Sequence, residues 1–421
     1  MIINYTTKCL SCEKKFVLRI TVGSSRNPKF RMNCPYCDLE MHGEVILNYR
    51  KNNGALDYNH FLPEIRITNA EIIHEPIGND IKKYVTIFTD LPIIRNKYIS
   101  DDGTPLNLWR PTFQAMYELK DNAPYVIKGL NDFYALPEND FYLIKNAYNQ
   151  YKENNFEKAK EILEKITPEV PSDISRVPST CSLCYQIFFV GLLGEWHIFP
   201  KHVKLIEDAI KEHIENIFEV PQNIQKLDVI ESLINEYFDL VNQIFDCKEI
   251  ICIARYFDFI DLEKQDKHFI SIDYPDKFFN LYEQLCEYAH NIIKIEIGYL
   301  NIKNRGDINL FKDNKFSNYE KYFNKAKLFQ SLDLINEDNI LGNNYNFAID
   351  RNIRNGIAHK KISFSSTGQE IIVRKENKLI KIEYDLALKK TIELCRICIY
   401  CFSFITNQKR MISDEPWNHK K

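Results

Sequence analysis

The chain has 421 residues, of which 45% are hydrophobic, and a formal net charge of −3. This length fits two or three domains, and the ordinary apolar content predicts a packed core. No uninterrupted apolar run approaches the roughly 18 residues of a membrane-spanning helix, so we expect no membrane contact.

The N-terminus and the cysteines indicate the compartment. The chain reaches Cys9 without an apolar segment and a cleavage site, so we expect no signal peptide and a cytoplasmic protein. In that compartment the 12 cysteines are expected to be metal ligands or buried thiols rather than disulfides.

Charge is distributed unevenly along the chain. Residues 1–50 carry 8 Lys and Arg against 4 Asp and Glu, and residues 345–421 carry 15 against 8, which leaves −14 for residues 51–344. Basic ends fit contact with a polyanion, or are simply solvated surface. The acidic middle argues against a nucleic-acid groove across the whole molecule.

The first 50 residues predict a zinc ribbon. Two C-x2-C pairs, 21 residues apart, supply the four thiolates that tetrahedral zinc prefers: Cys9, Cys12, Cys34 and Cys37. Residues 16–22 and 44–49 have strand-like composition. Four cysteine ligands close the coordination shell, so we expect a structural metal rather than a catalytic one.

The partner of this ribbon is left open by the sequence. Its basic side chains fit nucleic acid, but zinc ribbons also bind proteins or cap a neighbouring domain. The basic residues are Lys14, Lys15, Arg19, Arg26, Lys29 and Arg31.

Residues 51–272 predict a central region of mixed α+β and helical character. Residues 51–125 read as linker and short strands, with one strand near residues 84–89. Residues 139–166 predict a helix pair, and residues 201–247 predict two helices separated at Pro221.

A second cysteine pair within this region allows two interpretations. Cys181, Cys184, His197 and His202 have the spacing of a Cys2His2 finger. Pro200 between the histidines and the apolar character of the segment favour a buried helix with two core cysteines instead.

The last third, residues 273–410, predicts a helical domain, which makes the chain mostly α overall. Long helices are expected at residues 277–303 and 317–331, with a turn and a helix start at residues 341–344. A hairpin at residues 362–373 and an apolar helix at residues 386–405 follow. In that helix, Cys395, Cys398 and Cys401 predict one core stripe.

Arg354, Asn355 and His359 are the candidate catalytic residues. Arginine holds phosphate oxygens through a fixed fork of donors, and histidine moves protons near neutral pH. On a helix, Asn355 and His359 would share a face, with Arg354 about 140° from His359. The alternative is a helix C-terminus at which the positive charges of Arg354 and His359 only interact favourably with the helix dipole.

The R-N-x-x-x-H pattern, followed by a hairpin and an apolar helix, resembles the signature of the HEPN superfamily. The resemblance covers roughly the last third of the chain. It implies a metal-independent endoribonuclease of the prokaryotic toxin or abortive-infection type. RNA is then the substrate, a homodimer pairs two motifs in one cleft, and an antidote or defence-system protein is an expected partner.

In such enzymes the RNA 2′-hydroxyl attacks the adjacent phosphate. By this resemblance, His359 would transfer protons, Arg354 would stabilise the developing charge, and Asn355 would orient the phosphate or His359. Two alternatives remain: a non-catalytic HEPN-like module that binds RNA or proteins, and a zinc-ribbon adaptor. No P-loop, G-x-G-x-x-G or G-x-S-x-G motif supports another chemistry.

Overall fold

The fold is described from a computed structural model and is mostly α, as predicted. Its described part contains thirteen helices and fourteen strands. That part comprises residues 2–21, 29–46, 51–52, 55–56, 64–74, 77, 81, 83–88, 93–94, 138–168, 171–193, 199–213, 215–257, 268–269, 275–312, 316–365, 369–375 and 378–413.

The strands, in chain order, are β1 (Ile2–Cys9), β2 (Lys15–Thr21), β3 (Lys29–Asn33), β4 (Glu40–Ile46), β5 (Lys51–Asn52), β6 (Ala55–Leu56), β7 (Glu64–Ile67), β8 (Ala70–Ile73), β9 (Tyr84–Phe88), β10 (Ile93–Ile94), β11 (His268–Phe269), β12 (Ile362–Ser365), β13 (Glu370–Lys375) and β14 (Lys378–Glu383).

The helices, in chain order, are α1 (Glu138–Lys152), α2 (Phe156–Leu163), α3 (Val177–Leu193), α4 (Phe199–His213), α5 (Glu219–Lys226), α6 (Val229–Asp246), α7 (Lys248–Tyr256), α8 (Pro275–Arg305), α9 (Tyr319–Lys325), α10 (Leu328–Ile335), α11 (Asn339–Ala348), α12 (Arg351–Ala358) and α13 (Tyr384–Ser413). No helix in these described ranges is both long and apolar enough to cross a membrane.

The chain forms two compact units, each built from three segments that alternate along the sequence. We call them the β-rich unit, residues 1–134, 247–278 and 359–389, and the helical unit, residues 135–246, 279–358 and 390–421. The predicted domains 1–50, 51–272 and 273–410 are each one continuous stretch of chain, whereas each observed unit combines three separate stretches.

The β-rich unit starts with two small sheets. One has the order β8-β1-β2-β9, in which β9 runs parallel to β2, and the other has the order β3-β4-β7. Strands beyond residue 50 thus complete sheets that the first 50 residues begin. Their common core contains Cys9, Phe16, Leu18, Ile20, Phe30, Met32, Cys34, Met41, Val45, Ala70 and Ile87.

A glycine allows one close contact in this core. Phe30 on β3 lies opposite Gly43 on β4. A Cβ atom at position 43 would fall 2.1 Å from the Phe30 ring. The ring therefore lies against bare backbone, and a larger residue at position 43 would displace it.

The predicted hairpin after residues 354–359, which we call the Arg/His segment, is confirmed. A third strand extends it beyond the prediction. β12, β13 and β14 form an antiparallel sheet, with Ile362 opposite Val373 and Ile371 opposite Ile382. The sheet belongs to the β-rich unit, although it follows helical segments in sequence.

The helical unit confirms the predicted helix pair, α1 and α2, and corrects several helix boundaries. Residues 199–246 form three helices rather than two. Pro221 lies in the first turn of α5, where proline is tolerated because its missing N–H has no intrahelical partner. The second break occurs instead beside Asp228, whose φ is +53°.

Two further boundaries differ from the prediction. The expected helix at 317–331 is divided into α9 and α10, because Ala326 is extended with ψ 134°. The predicted turn at 341–344 is wrong: these residues lie inside α11. That helix begins after Asp338, whose carboxylate accepts hydrogen bonds from the N–H groups of Ile340 and Leu341 at 3.1 Å.

The two longest helices supply the centre of the helical unit. Cys398 of α13 contacts the carbonyl of Leu285 on α8 at 3.6 Å. Phe402 of α13 stacks on Tyr237 of α6 with ring centroids 4.0 Å apart. The predicted stripe of cysteines at 395, 398 and 401 is confirmed, since all three are fully buried.

Candidate functional sites

The four predicted ligand cysteines lie together in the β-rich unit. The Sγ atoms of Cys9 and Cys37 are 3.7 Å apart, as are those of Cys12 and Cys34. All four sulfurs lie within 4.8 Å of one another. Four ligands at a Zn–S distance of about 2.3 Å form a tetrahedron with edges of about 3.8 Å, so the spacing suits a tetrahedral metal ion.

Both C-x2-C turns have the same backbone construction. In the first, the N–H of Cys9 donates to the carbonyl of Lys14 at 3.1 Å, and the N–H of Glu13 donates to the carbonyl of Cys9 at 2.9 Å. In the second, Cys34 pairs with Leu39 and Asp38 in the same pattern, at 2.9 and 3.0 Å.

A left-handed residue closes each turn: φ is +58° at Glu13 and +60° at Asp38. Acidic residues tolerate this conformation less well than glycine does, so the turn geometry is imposed by the hydrogen bonds around it. The result is that each pair of thiols faces the same point.

The pKa values of two thiols in this cluster, Cys9 and Cys34, are shifted in opposite directions. Burial raises the pKa of Cys9, but hydrogen bonds from the backbone of Cys12 and Ser11 lower it, to about 7. Burial raises the pKa of Cys34 to about 12, with neighbouring Cys37 and Cys12 adding to the rise. Four thiolates this close together would repel one another. A bound metal ion removes that repulsion, because its positive charge stabilises all four as thiolates.

Cys181 and Cys184, the second candidate pair, lie in the middle of α3 rather than in a turn. Both are buried, and Cys181 contacts the carbonyl of Ile144 at 3.8 Å. This placement agrees with the buried-helix interpretation. His197 lies outside the described residues, as does the side chain of His202, so the finger interpretation is not tested.

The Arg/His segment lies on α12, which is fixed at its start. The carboxylate of Asp350 accepts hydrogen bonds from the N–H groups of Asn352 and Ile353 at 2.9 and 3.3 Å. Tyr282 of α8 accepts from the N–H of Asp350 at 2.7 Å and donates to the carbonyl of Ala348 at 2.9 Å. A buried tyrosine therefore ties the start of α12 to α8.

Arg354 is partly exposed and points to α8. Its Nη2 forms an ion pair with Glu287, and 24% of the Arg354 side chain is exposed against 50% of the Glu287 side chain. The Nε atom of Arg354 is buried and has no hydrogen-bond partner among the described residues. Asn355, the next residue, is half-buried on the same helix.

His359 lies just beyond the helix. α12 ends at Ala358, and Lys360 takes a left-handed conformation with φ +53°, which terminates the helical hydrogen bonding. His359 is exposed. The division between the two units falls between Ala358 and His359, so Arg354 and Asn355 belong to the helical unit and His359 to the β-rich unit.

Three polar residues that the sequence analysis did not select share the Arg354 side of α8: Glu287, His290 and Lys294. They are three and four residues apart, so they form one stripe along the helix. Burial and, to a smaller extent, the positive charges of Lys294 and Arg354 together lower the pKa of His290 to about 3. His290 is therefore neutral at physiological pH.

A signal for this stripe exists in the sequence. Residues 285–297 are mostly apolar and buried, so ionisable residues at helical spacing within them need partners. His290 has one in Ser331, whose hydroxyl lies 3.2 Å from its Nε2 and 2.9 Å from the hydroxyl of Tyr322.

Comparisons with protein-family models, with curated proteins and with solved structures found no match to this chain. The motif and the geometry of the two sites are therefore what indicates the function of this chain.

Proposed function

We propose that the protein is a metal-independent endoribonuclease of the HEPN type that acts in the cytoplasm as a toxin or antiviral defence effector. The observation that carries this proposal is Arg354, a partly exposed guanidinium five residues before exposed His359. Its buried Nε has no hydrogen-bond partner in the part of the chain that the structure describes. Guanidinium and imidazole together provide phosphate binding and proton transfer.

In the proposed reaction the RNA 2′-oxygen attacks the adjacent phosphorus and the bond to the 5′-oxygen breaks. His359 takes the proton from the 2′-hydroxyl or delivers one to the leaving 5′-oxygen. Arg354 stabilises the negative charge that builds on the phosphoryl oxygens. Asn355 orients the phosphate or His359. One chain offers one such motif, so the proposal includes a homodimer in which two motifs serve one cleft.

We also propose that Cys9, Cys12, Cys34 and Cys37 hold a structural zinc ion. The tetrahedral spacing of the sulfurs and the matching backbone turns support this assignment. The metal stabilises the ribbon core and supplies no step of the reaction, because four thiolates leave no position open for substrate.

The Arg354–Glu287 ion pair favours a second candidate. In a non-catalytic module that binds RNA or a partner protein, Arg354 would serve only to tie α12 to α8. A zinc-ribbon adaptor is the related alternative. The enzyme cleaves RNA, whereas the non-catalytic module and the adaptor leave it intact.

The deciding experiment is incubation of the purified protein with total cellular RNA in EDTA. We expect cleavage to products with 2′,3′-cyclic phosphate ends, with the ribbon zinc still bound by elemental analysis. Arg354→Ala and His359→Ala chains serve as negative controls. Intact RNA after incubation with a folded, dimeric protein would favour the non-catalytic module.

A further inference from the structure

The polar stripe on α8 places one carboxylate, Glu287, and one cation, Lys294, on the side of the helix that faces Arg354. Glu287 forms its ion pair with Arg354. Lys294 lies two turns further along the same face of α8, with its Nζ 5.2 Å from the Phe323 ring centroid. His290, between them, is neutral and hydrogen-bonded to Ser331, so it does not balance either positive charge.

The charges of this stripe influence one another. Burial lowers the pKa of Lys294, and the carboxylate of Glu287 opposes that fall. Both Lys294 and Arg354 lower the pKa of His290. Glu287 thus acts on both cations, on Arg354 through the ion pair and on Lys294 through its charge, and its removal would leave more positive charge around His290.

Glu287 is held less firmly than the groups around it. Half of its side chain is exposed, whereas Arg354 is mostly buried. Exposed ion pairs contribute little stability, because water solvates the separated charges well. A phosphate can accept two hydrogen bonds from the guanidinium, as a carboxylate does, and it is also negatively charged. It can therefore bind to the same N–H groups of Arg354.

We propose that an RNA phosphate replaces the Glu287 carboxylate between Arg354 and Lys294. Lys294 is then a second phosphate-binding residue, and Glu287 is an internal competitor that lowers the affinity of the free site. The proposal rests on the proposed ribonuclease function, since it takes Arg354 as the phosphate-binding group.

The test measures binding of a single-stranded 2′-O-methyl RNA oligonucleotide, which cannot undergo attack by its own 2′-oxygen, to full-length protein. We expect Glu287→Gln to tighten binding and Lys294→Gln to weaken it, each by about fivefold, the size of an exposed charge pair. Glu207→Gln and Lys211→Gln make the same charge changes at exposed positions on α4 rather than on α8.

The controls should change binding by less than about twofold. Glu287→Gln should tighten binding less in an Arg354→Ala background, because the carboxylate then competes with the phosphate only for Lys294. Glu287→Ala provides a second removal of the carboxylate, and circular dichroism verifies the fold of each chain.

The outcomes separate this proposal from the proposed function. If Arg354→Ala weakens binding and abolishes cleavage while Glu287→Gln binds no tighter than Glu207→Gln, the internal competitor is refuted and the ribonuclease function stands. If Lys294→Gln binds like Lys211→Gln, the two-cation clamp is refuted. Normal binding and cleavage by Arg354→Ala would refute both.

Discussion

The four-cysteine cluster and the Arg/His segment differ in how their residues are held. At the cluster, backbone hydrogen bonds fix both turns and four sulfurs face one point, with Cys9 and Cys34 buried in the core. At the segment, Arg354 has an exposed carboxylate partner and His359 lies beyond the end of its helix. Ligands that are fixed by backbone hydrogen bonds suit a permanently bound metal ion. A side chain whose partner is exposed to solvent can instead exchange that partner for a substrate.

The largest expected effect comes from breaking the closed site. Cys34→Ser should release zinc and unfold the ribbon, because apparent zinc binding in small domains is worth about 10–16 kcal/mol and replaces a large core. Elemental analysis should give about one zinc per wild-type chain and much less in the variant. Cys247→Ser is the matched control, since it changes a buried cysteine elsewhere and should keep the metal.

A wild-type protein that is folded and free of zinc would contradict the ribbon assignment. A value near two zinc ions per chain would instead revive the finger interpretation at Cys181 and Cys184.

The next effect concerns the open site. His359→Ala should lower RNA cleavage by about 10²–10⁴-fold, the usual contribution of a positioned acid or base. The fold should be retained, because an exposed histidine makes few contacts. Initial rates on a labelled RNA give the measurement, with Lys361→Ala as an exposed neighbour. Undiminished cleavage by the His359 variant removes the residue from the mechanism.

A smaller effect tests whether two chains share one site. Arg354→Ala and His359→Ala chains should each be inactive, and mixing them should restore part of the activity through heterodimers. Each heterodimer retains one Arg354 and one His359, about the two-fold axis of an isologous dimer. Light scattering at the assay concentration verifies the dimer. Full activity of a monomer would contradict the shared site.

The smallest effect concerns His290, beside Arg354. Its folded-state pKa is lowered to about 3 by burial and by Lys294 and Arg354. Its contribution to stability is therefore present above the unfolded pKa of about 6.5 and is lost as pH falls toward 3. Between pH 7 and pH 5 it should reduce the free energy of unfolding by at most about 2 kcal/mol.

Urea denaturation at both pH values measures this loss. A His290→Asn chain should lack that part of the pH dependence, while His359→Ala, which changes an exposed histidine, should retain it. Equal pH dependence in wild type and His290→Asn would show that His290 titrates normally.

Local spacing along the chain was enough to predict several features of this protein. The C-x2-C pairs, the long helix at 277–303, the helix pair near 139–166 and the hairpin after residue 362 all follow from patterns within a few residues. The cysteine stripe of α13 belongs to the same class, because helical periodicity alone places its members on one buried face.

The contacts between distant segments, in contrast, could not be predicted from the sequence. β9 pairs in parallel with β2, and Val17 lies opposite Tyr84, 67 positions along the chain. No local pattern in the sequence marks this pairing. Likewise, the ion pair of Arg354 with Glu287 joins residues 67 positions apart. Such contacts depend on the packing of whole elements, in which burial is shared among many residues. A motif therefore fixes the chemistry that a segment can offer, and the packing decides which groups surround it.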